Sequence, residues 1–216
     1  MEPVTTYVYV DAFNLYYGAV RGTKYKWLNI LKLCKAILDP KHDIKKIKYF
    51  TDSESARPGD PGQPTRQRMY FRALLTVPGL EIIKGTFYTK RDHRPTAASV
   101  DAGGPLDYVE VVLSEEKGSD VNLGVHMVHD GHLGCYDAAV LISNDSDLAG
   151  AVSIVRHDLK KVVGVINPHP PERQSRILDR ASTFTRQIEA QHLRLNQFTD
   201  ELTDEKGRRF RKPAAW

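Results

Sequence analysis

Two apolar runs in this chain end in carboxylates. Ala138-Ala139-Val140-Leu141-Ile142 is followed directly by Ser143-Asn144-Asp145-Ser146-Asp147, and Tyr7-Val8-Tyr9-Val10 runs into Asp11, with Asn14 one helical turn later. A short apolar run closed by polar residues reads as a buried strand, and open α/β sheets bind their ligands outside the carboxyl ends of such strands. A third acid, Asp120, opens a helical pattern after Glu115-Glu116-Lys117-Gly118-Ser119. If the strands ending at Val10 and Ile142 are neighbours, about 4.8 Å apart, then Asp11, Asp120, Asp145 and Asp147 share one pocket, with Glu116 a further candidate. Anions packed that tightly repel one another. Mg²⁺ or Mn²⁺ is the remedy that oxygen-only ligands suit, whereas zinc would want His or Cys.

Each acid also has a plain structural role open to it. Asp145 can cap a helix beginning near Ser146, and Asp147 and Asp120 in first turns gain about 0.3–1 kcal/mol from the helix dipole. Capping does not account for two strands that both end in Asp while a third acid enters another element. Asn14 suits a metal-bound water or a phosphate, or a helix start; Ser143 can orient an acid or cap its turn. Lys117, next to Asp120, is placed to neutralise a phosphate unless it is simply solvated. Arg66 and Arg68 lie off the apolar face of one helix, and Lys90 and Arg91 open a loop. Beside an acidic pocket all four become candidate phosphate contacts. His126, His129 and His132 recur every three residues but form no HExxH motif, which disfavours a metal site there.

The elements that must position these residues follow from periodicity. Strands are expected at about 6–10, 44–50, 80–84, 108–113, 138–142 and 161–166. They alternate with amphipathic helices at 27–38, from Thr65 (Tyr70, Ala73, Leu74, Val77), from Val121 (Gly124, Val125, Val128) and from Leu148 (Ala151, Val152, Val155). The stretch 53–64 carries Pro58, Gly59, Pro61, Gly62 and Pro64 and reads as a mobile loop over the pocket; 90–106 reads as a substrate-facing flap. This alternation predicts a three-layer α/β/α sandwich around a central, mostly parallel sheet. A domain over 1–188 is followed by a C-terminal helix and basic tail over 189–216, where Arg208, Arg209, Arg211 and Lys212 surround Phe210.

Composition sets the outer bounds. With 216 residues, 41% hydrophobic and 27% charged, the chain is that of a folded globular protein of about one domain. A net charge of +4 favours polyanionic partners. Cys34 and Cys135 are the only cysteines and form no CxxC, so neither a disulfide framework nor a thiolate zinc site is expected. No secretion signal or membrane span is legible, which reads as a cytoplasmic protein with no membrane association.

Three motifs taken in order, Val10-Asp11-Ala12-Phe13-Asn14-Leu15-Tyr16, Glu116-Lys117-Gly118-Ser119-Asp120-Val121 and Ser143-Asn144-Asp145-Ser146-Asp147-Leu148, resemble the NYN family of PIN-like nucleases. The resemblance spans about 4–188. It implies a metal-dependent ribonuclease in which Asp11, Asp120, Asp145 and Asp147 carry the metal, with Asn14 and Ser143 in support. Ala12 stands where Gly is common in that family, and the segment between Lys84 and Tyr108 is longer than a minimal member needs.

The leading expectation is therefore hydrolysis of RNA phosphodiester bonds with Mg²⁺ or Mn²⁺. Single-stranded or structured RNA is the partner, Arg66, Arg68, Lys90 and Arg91 position its backbone, and a homo-oligomer is left open. The alternative is a catalytically silent RNA-binding or regulatory module. A haloacid dehalogenase phosphatase would want a second Asp where Phe13 stands, and a glycosyltransferase DxD at Asp145-Ser146-Asp147 would leave Asp11 and Asp120 without a role. Walker A, GxGxxG and GxSxG motifs are absent.

Overall fold

Six strands pair in parallel because most of their residues are apolar on both faces and so need cover on both. In the computed structural model, which describes residues 2–52 and 60–216 apart from the side chains of 86–89 and 113–117, the chain opens with β1 (Val4–Asp11), α1 (Ala12–Leu15), a five-residue π-helical turn (Tyr16–Val20) and α2 (Ile30–Ile37). It continues through β2 (His42–Thr51), α3 (Gln63–Leu74), β3 (Leu80–Lys84), β4 (Thr86–Pro95), α4 (Ala97–Asp101) and β5 (Tyr108–Lys117). Then come α5 (Ser119–His132), β6 (Ala138–Ile142), a 3-10 turn (Ser146–Leu148), α6 (Ala149–Ser153), a second π-helical turn (Ile154–Asp158) and β7 (Val162–Asn167). The chain ends in α7 (Arg176–Ala181), β8 (Phe184–Gln187), α8 (Ala190–Leu195), β9 (Glu201–Thr203) and β10 (Arg209–Arg211).

The sheet order is β3-β2-β1-β6-β7-β8. The order therefore reverses between β1 and β6, which pair in register from Thr6 opposite Ala138 to Val10 opposite Ile142. Asp11 and Ser143 leave the sheet side by side at this switch point, where doubly wound folds open a crevice. The expected α/β/α architecture is present.

Alternation along β1 sorts the core into two layers. Val8 and Val10 join Leu15, Trp27, Leu33, Phe71 and Leu74 beneath α1, α2 and α3. Tyr9 joins Phe50, Leu123, Met127, Leu148 and Val152 beneath α5 and α6. The residues after 188 complete the first layer: Phe198, Phe210 and Trp216 each set a ring edge-on to the fully buried Trp27. The basic tail is thus a hairpin of β9 and β10 pinned to α3, where Arg72 pairs with Asp204 at 2.7 Å and lies 4.2 Å over the Phe210 ring. Asn29 caps α2 by accepting the Lys32 N–H at 3.0 Å. Asn29→Ala should cost about 1 kcal/mol and lower the melting temperature by about 2–4 °C, read by thermal denaturation.

Two expectations are corrected. The flap expected at 90–106 is largely ordered structure: β4 and β5 form an antiparallel ribbon outside the central sheet, tipped by α4. Its Lys90, Arg91 and Arg94 carry no hydrophobic alternation, so periodicity did not mark a strand; cross-strand pairing, including Arg91 to Glu110 at 3.3 Å, supports the ribbon. In α5 the buried stripe is Leu123, Met127, Asp130 and Gly131, while Val121 and Val125 are 69% and 60% exposed. The proline-rich segment 53–59 lies outside the described residues. No described helix is long and apolar enough to cross a membrane.

Candidate active site

Asp11 is the last residue of β1 and only 6% exposed. One carboxylate oxygen accepts the Asn14 N–H at 2.9 Å, so Asp11 caps α1; the other accepts the Ser143 hydroxyl at 2.9 Å. Burial pushes its carboxyl up to about 6, against the pull of those two hydrogen bonds, and the nearby charges of Asp120 and Asp145 push it further the same way. The charges of Asp120 in α5 and of Asp145 in the loop after β6 thus both reach Asp11 at the end of β1.

Ser143 relays between them. Its hydroxyl donates to Asp11 and accepts the Asp145 N–H at 3.0 Å. Asp145 in turn accepts the Asp147 N–H at 3.0 Å, so its capping role is real and coexists with its place in the acidic field. Asp147 is exposed and, with Asp120, His129 and His132, lines a groove between α5 and α6. Asp120 enters at the first turn of α5 behind Gly118, whose φ of +99° is a conformation that favours glycine.

Asn14 ties three loops together. Its Oδ1 accepts the Asn144 N–H at 2.9 Å and lies 3.1 Å from His169 Nε2. Since a backbone N–H already identifies that atom as the acceptor oxygen, His169 must present Nε2–H to it. The His169 ring packs on Gly18, where a Cβ would come within 2.8 Å of it. Asn144 donates to Arg173 O at 2.8 Å and accepts the Ser175 N–H at 2.7 Å, anchoring the segment before α7. At the end of β7, Asn167 accepts the His169 N–H at 2.9 Å and donates to Gln187 at 2.8 Å. Asn144, Asn167, His169 and Gln187 were not singled out from the sequence. The signal was there for Asn167, a polar residue closing an apolar strand in the same way as Asp11.

The remaining candidates separate. Arg66 is ion-paired with Asp60 and lines a cavity on the α1–α3 side of the sheet. Arg68 is exposed and donates to Thr65 Oγ1 at 3.1 Å; Lys90 and Arg91 sit on the ribbon beside Asp92 and Glu110. The side chains of Glu116 and Lys117 lie outside the described residues. That cavity, of about 510 Å³, begins at Ala12 and Phe13 directly after Asp11 and includes Tyr49, which pairs with Val10. Burial raises the Tyr49 hydroxyl well above its ordinary range, with a smaller push from Asp11.

The donors suit a hard divalent cation, because all are carboxylate oxygens whose mutual repulsion a cation relieves. Their placement is looser than the sequence suggested. Among the described residues, no three His, Cys, Asp or Glu side chains are gathered as a metal-holding group. Both Asp11 oxygens and one of Asp145 are occupied by hydrogen bonds from the protein itself.

Comparison with known proteins places this geometry in context. The NYN domain family matches residues 5–189. A curated relative, 6-hydroxy-3-succinoylpyridine 3-monooxygenase HspA of Pseudomonas putida (strain DSM 28022 / S16), is 32% identical, over 81% of this chain and 62% of that protein. The chain thus spans less than two thirds of that relative's length. A crystal structure of a Vibrio parahaemolyticus protein of unknown function matches with a TM-score of 0.58 at 19% identity, over 88% of this chain and 95% of the other. That likeness is one of fold.

Proposed function

Because this chain belongs to the NYN family, within the PIN-like nuclease superfamily, we propose that it hydrolyses RNA phosphodiester bonds with Mg²⁺ or Mn²⁺. The observation that carries the reading is Asp11, a buried carboxylate kept at the sheet's switch point in the field of Asp120 and Asp145. Asp11, Asp120 and Asp145 would hold the cation, with Asp147 joining from the groove. When bound, such an ion supplies Lewis acidity and an activated water. Ser143 and the Asn14 N–H keep Asp11 oriented, and His169 holds Asn14, so the acids are set before any ligand arrives.

Labelled single-stranded RNA incubated with Mn²⁺ should be cut, and chelator should stop the reaction. Asp145→Asn should lower the rate at least about a hundredfold. Equal rates with and without chelator, or for variant and native protein, would overturn the reading. A silent RNA-binding module predicts RNA retention with no turnover.

A second reading has one observation in its favour. The Pseudomonas relative is named for oxygenation of a succinoylpyridine, and the cavity beside β1 and β2 is the size of a small ring compound. Action on a small heteroaromatic acid predicts substrate-dependent oxygen uptake and intact RNA.

A further inference from the structure

We propose that the cavity framed by α1, the first π-helical turn and α3 is a binding site for a small planar aromatic ring bearing an anionic group. The inference rests on neither functional reading above, since binding is measured without turnover.

Size comes first. At about 510 Å³ the cavity falls within the range of small-ligand sites, about 300–1,000 Å³, and takes a single ring system with a side group rather than an extended chain. Its walls are aromatic: Phe13, Tyr16, Tyr17, Tyr49, Tyr70 and Trp216. Three of these rings brace one another. The Tyr70 ring stands edge-on to Tyr49 and Trp216, with centroids 6.4 and 5.9 Å apart, and its hydroxyl donates to Leu28 O at 2.8 Å. Fixed ring faces recognise a flat ring at little entropic cost.

Charge supplies the second half of the ligand. The described charged residues of the lining are Arg21, Lys26 and Arg66 against Asp60 alone. Asp60 is committed to Arg66. Arg21, with its guanidinium 5.2 Å from the Tyr17 ring centroid, and Lys26, whose charge also reaches Asp60, leave the described lining with an excess of positive charge over an aromatic wall. A carboxylate or phosphate at the rim, with its ring among the tyrosines, satisfies both features.

Tyr49 adds a polar group to the aromatic wall. It is 6% exposed and lines the cavity, and burial raises its hydroxyl well above the ordinary range, so the neutral phenol is the form the cavity meets. Facing the cavity, that hydroxyl can exchange hydrogen bonds with an occupant's polar atom in place of water. Tyr49 pairs with Val10, the residue before Asp11, so an occupant would lie near Asp11 and apart from the groove that holds Asp120 and Asp147.

Two sources share this chemistry: a nucleotide of an RNA and a free heteroaromatic acid. Pyridine-3-carboxylate and adenosine and uridine 5′-monophosphates, titrated into the full chain in chelator and followed by calorimetry and tryptophan emission, distinguish them. At least one of these anions should bind saturably, with the emission of Trp216 changing. Pyridine-3-methanol and cyclohexanecarboxylate, which lack the charge and the ring respectively, should bind much more weakly. Tyr49→Phe and the pair Arg21→Gln/Lys26→Gln should each weaken binding about tenfold or more at unchanged melting temperature. Binding of the carboxylate alone assigns the site to a free acid, and binding of the nucleotides alone assigns it to RNA; either supports the proposal. Saturation by none of the anions, equal binding of the neutral or non-aromatic probe, or native affinity in both variants would overturn it. RNA cleavage is untouched by these outcomes and is judged by its own chelator test.

Discussion

Asp11→Asn should abolish RNA cleavage and at the same time stabilise the protein at neutral and alkaline pH. The Asp11 carboxyl stands at about 6 in the folded chain, above its ordinary 3.8, because burial disfavours its charge and Asp120 and Asp145 repel it. Below about pH 3.8 the group is protonated in both folded and unfolded chains and costs nothing. As the pH rises through about 6, the folded chain must ionise a group that the unfolded chain ionised more easily, and stability is lost. The shift corresponds to a penalty of up to about 3 kcal/mol at pH 8. Asparagine keeps the shape, accepts the Asn14 N–H and carries no charge, while its Nδ2–H donates to the Ser143 hydroxyl in reversal of the native bond. The variant should therefore melt roughly 6–12 °C above native at pH 8 and converge with it near pH 4. Saturating Mn²⁺, at a hundred times its dissociation constant, should restore about 2.7 kcal/mol to the native chain and little to the variant. A variant that melts below native at pH 8, or that responds to Mn²⁺ as native does, would sink the assignment of Asp11 as a repelled carboxylate awaiting a cation.

Asp130→Ala should be among the most damaging single changes away from the site. Lys48 Nζ lies 2.6 Å from Asp130 Oδ2, both side chains being 9% exposed, and the Tyr9 hydroxyl donates to the same oxygen at 2.7 Å. His126 Nδ1 lies 3.2 Å from the same ammonium, and burial, then the charge of Lys48, lowers its pKa so that the neutral ring accepts. Removing the carboxylate leaves a buried ammonium and a buried phenol without their acceptor, a loss of about 3–5 kcal/mol. The melting temperature should fall by about 6–20 °C. The paired replacement Lys48→Met with Asp130→Leu should recover most of that loss, because no stranded charge remains. If the single and paired variants melt together, the charge is not what the network protects. Cleavage by Asp130→Ala below its melting transition should match native, since the network lies beneath α5 and not at the strand ends.

Local pattern and tertiary packing divide this protein in a way that particular residues show. The α5 helix has two apolar stripes, and periodicity selected Val121, Gly124, Val125 and Val128, whereas Leu123 and Met127 are the ones driven into the core. Spacing reveals that faces exist; the larger side chains and the neighbouring strands decide which is buried. Of the β4–β5 ribbon only β5 was legible, as the strand expected at 108–113, while β4, rich in charged residues and stabilised by its partner strand rather than by burial, was not; pairing then placed β5 outside the central sheet. At the site, Ser143 contacts Asp11 across 132 positions and His169 contacts Asn14 across 155. The cavity draws its walls from residues as distant as Phe13 and Trp216.

What the amino-acid order determined by itself was most of the central strands, β1, β2, β3, β6 and β7, and the acids that close β1 and follow β6, because hydrophobic runs and their polar stops are properties of neighbouring residues. The place of Asp11 beside Ser143 then followed from the ordinary strand order of doubly wound sheets. Which polar groups occupy those acids, how widely the carboxylates stand apart and where a ring-sized cavity opens were decided only by tertiary packing, since each depends on side chains that meet after the layers close over the sheet.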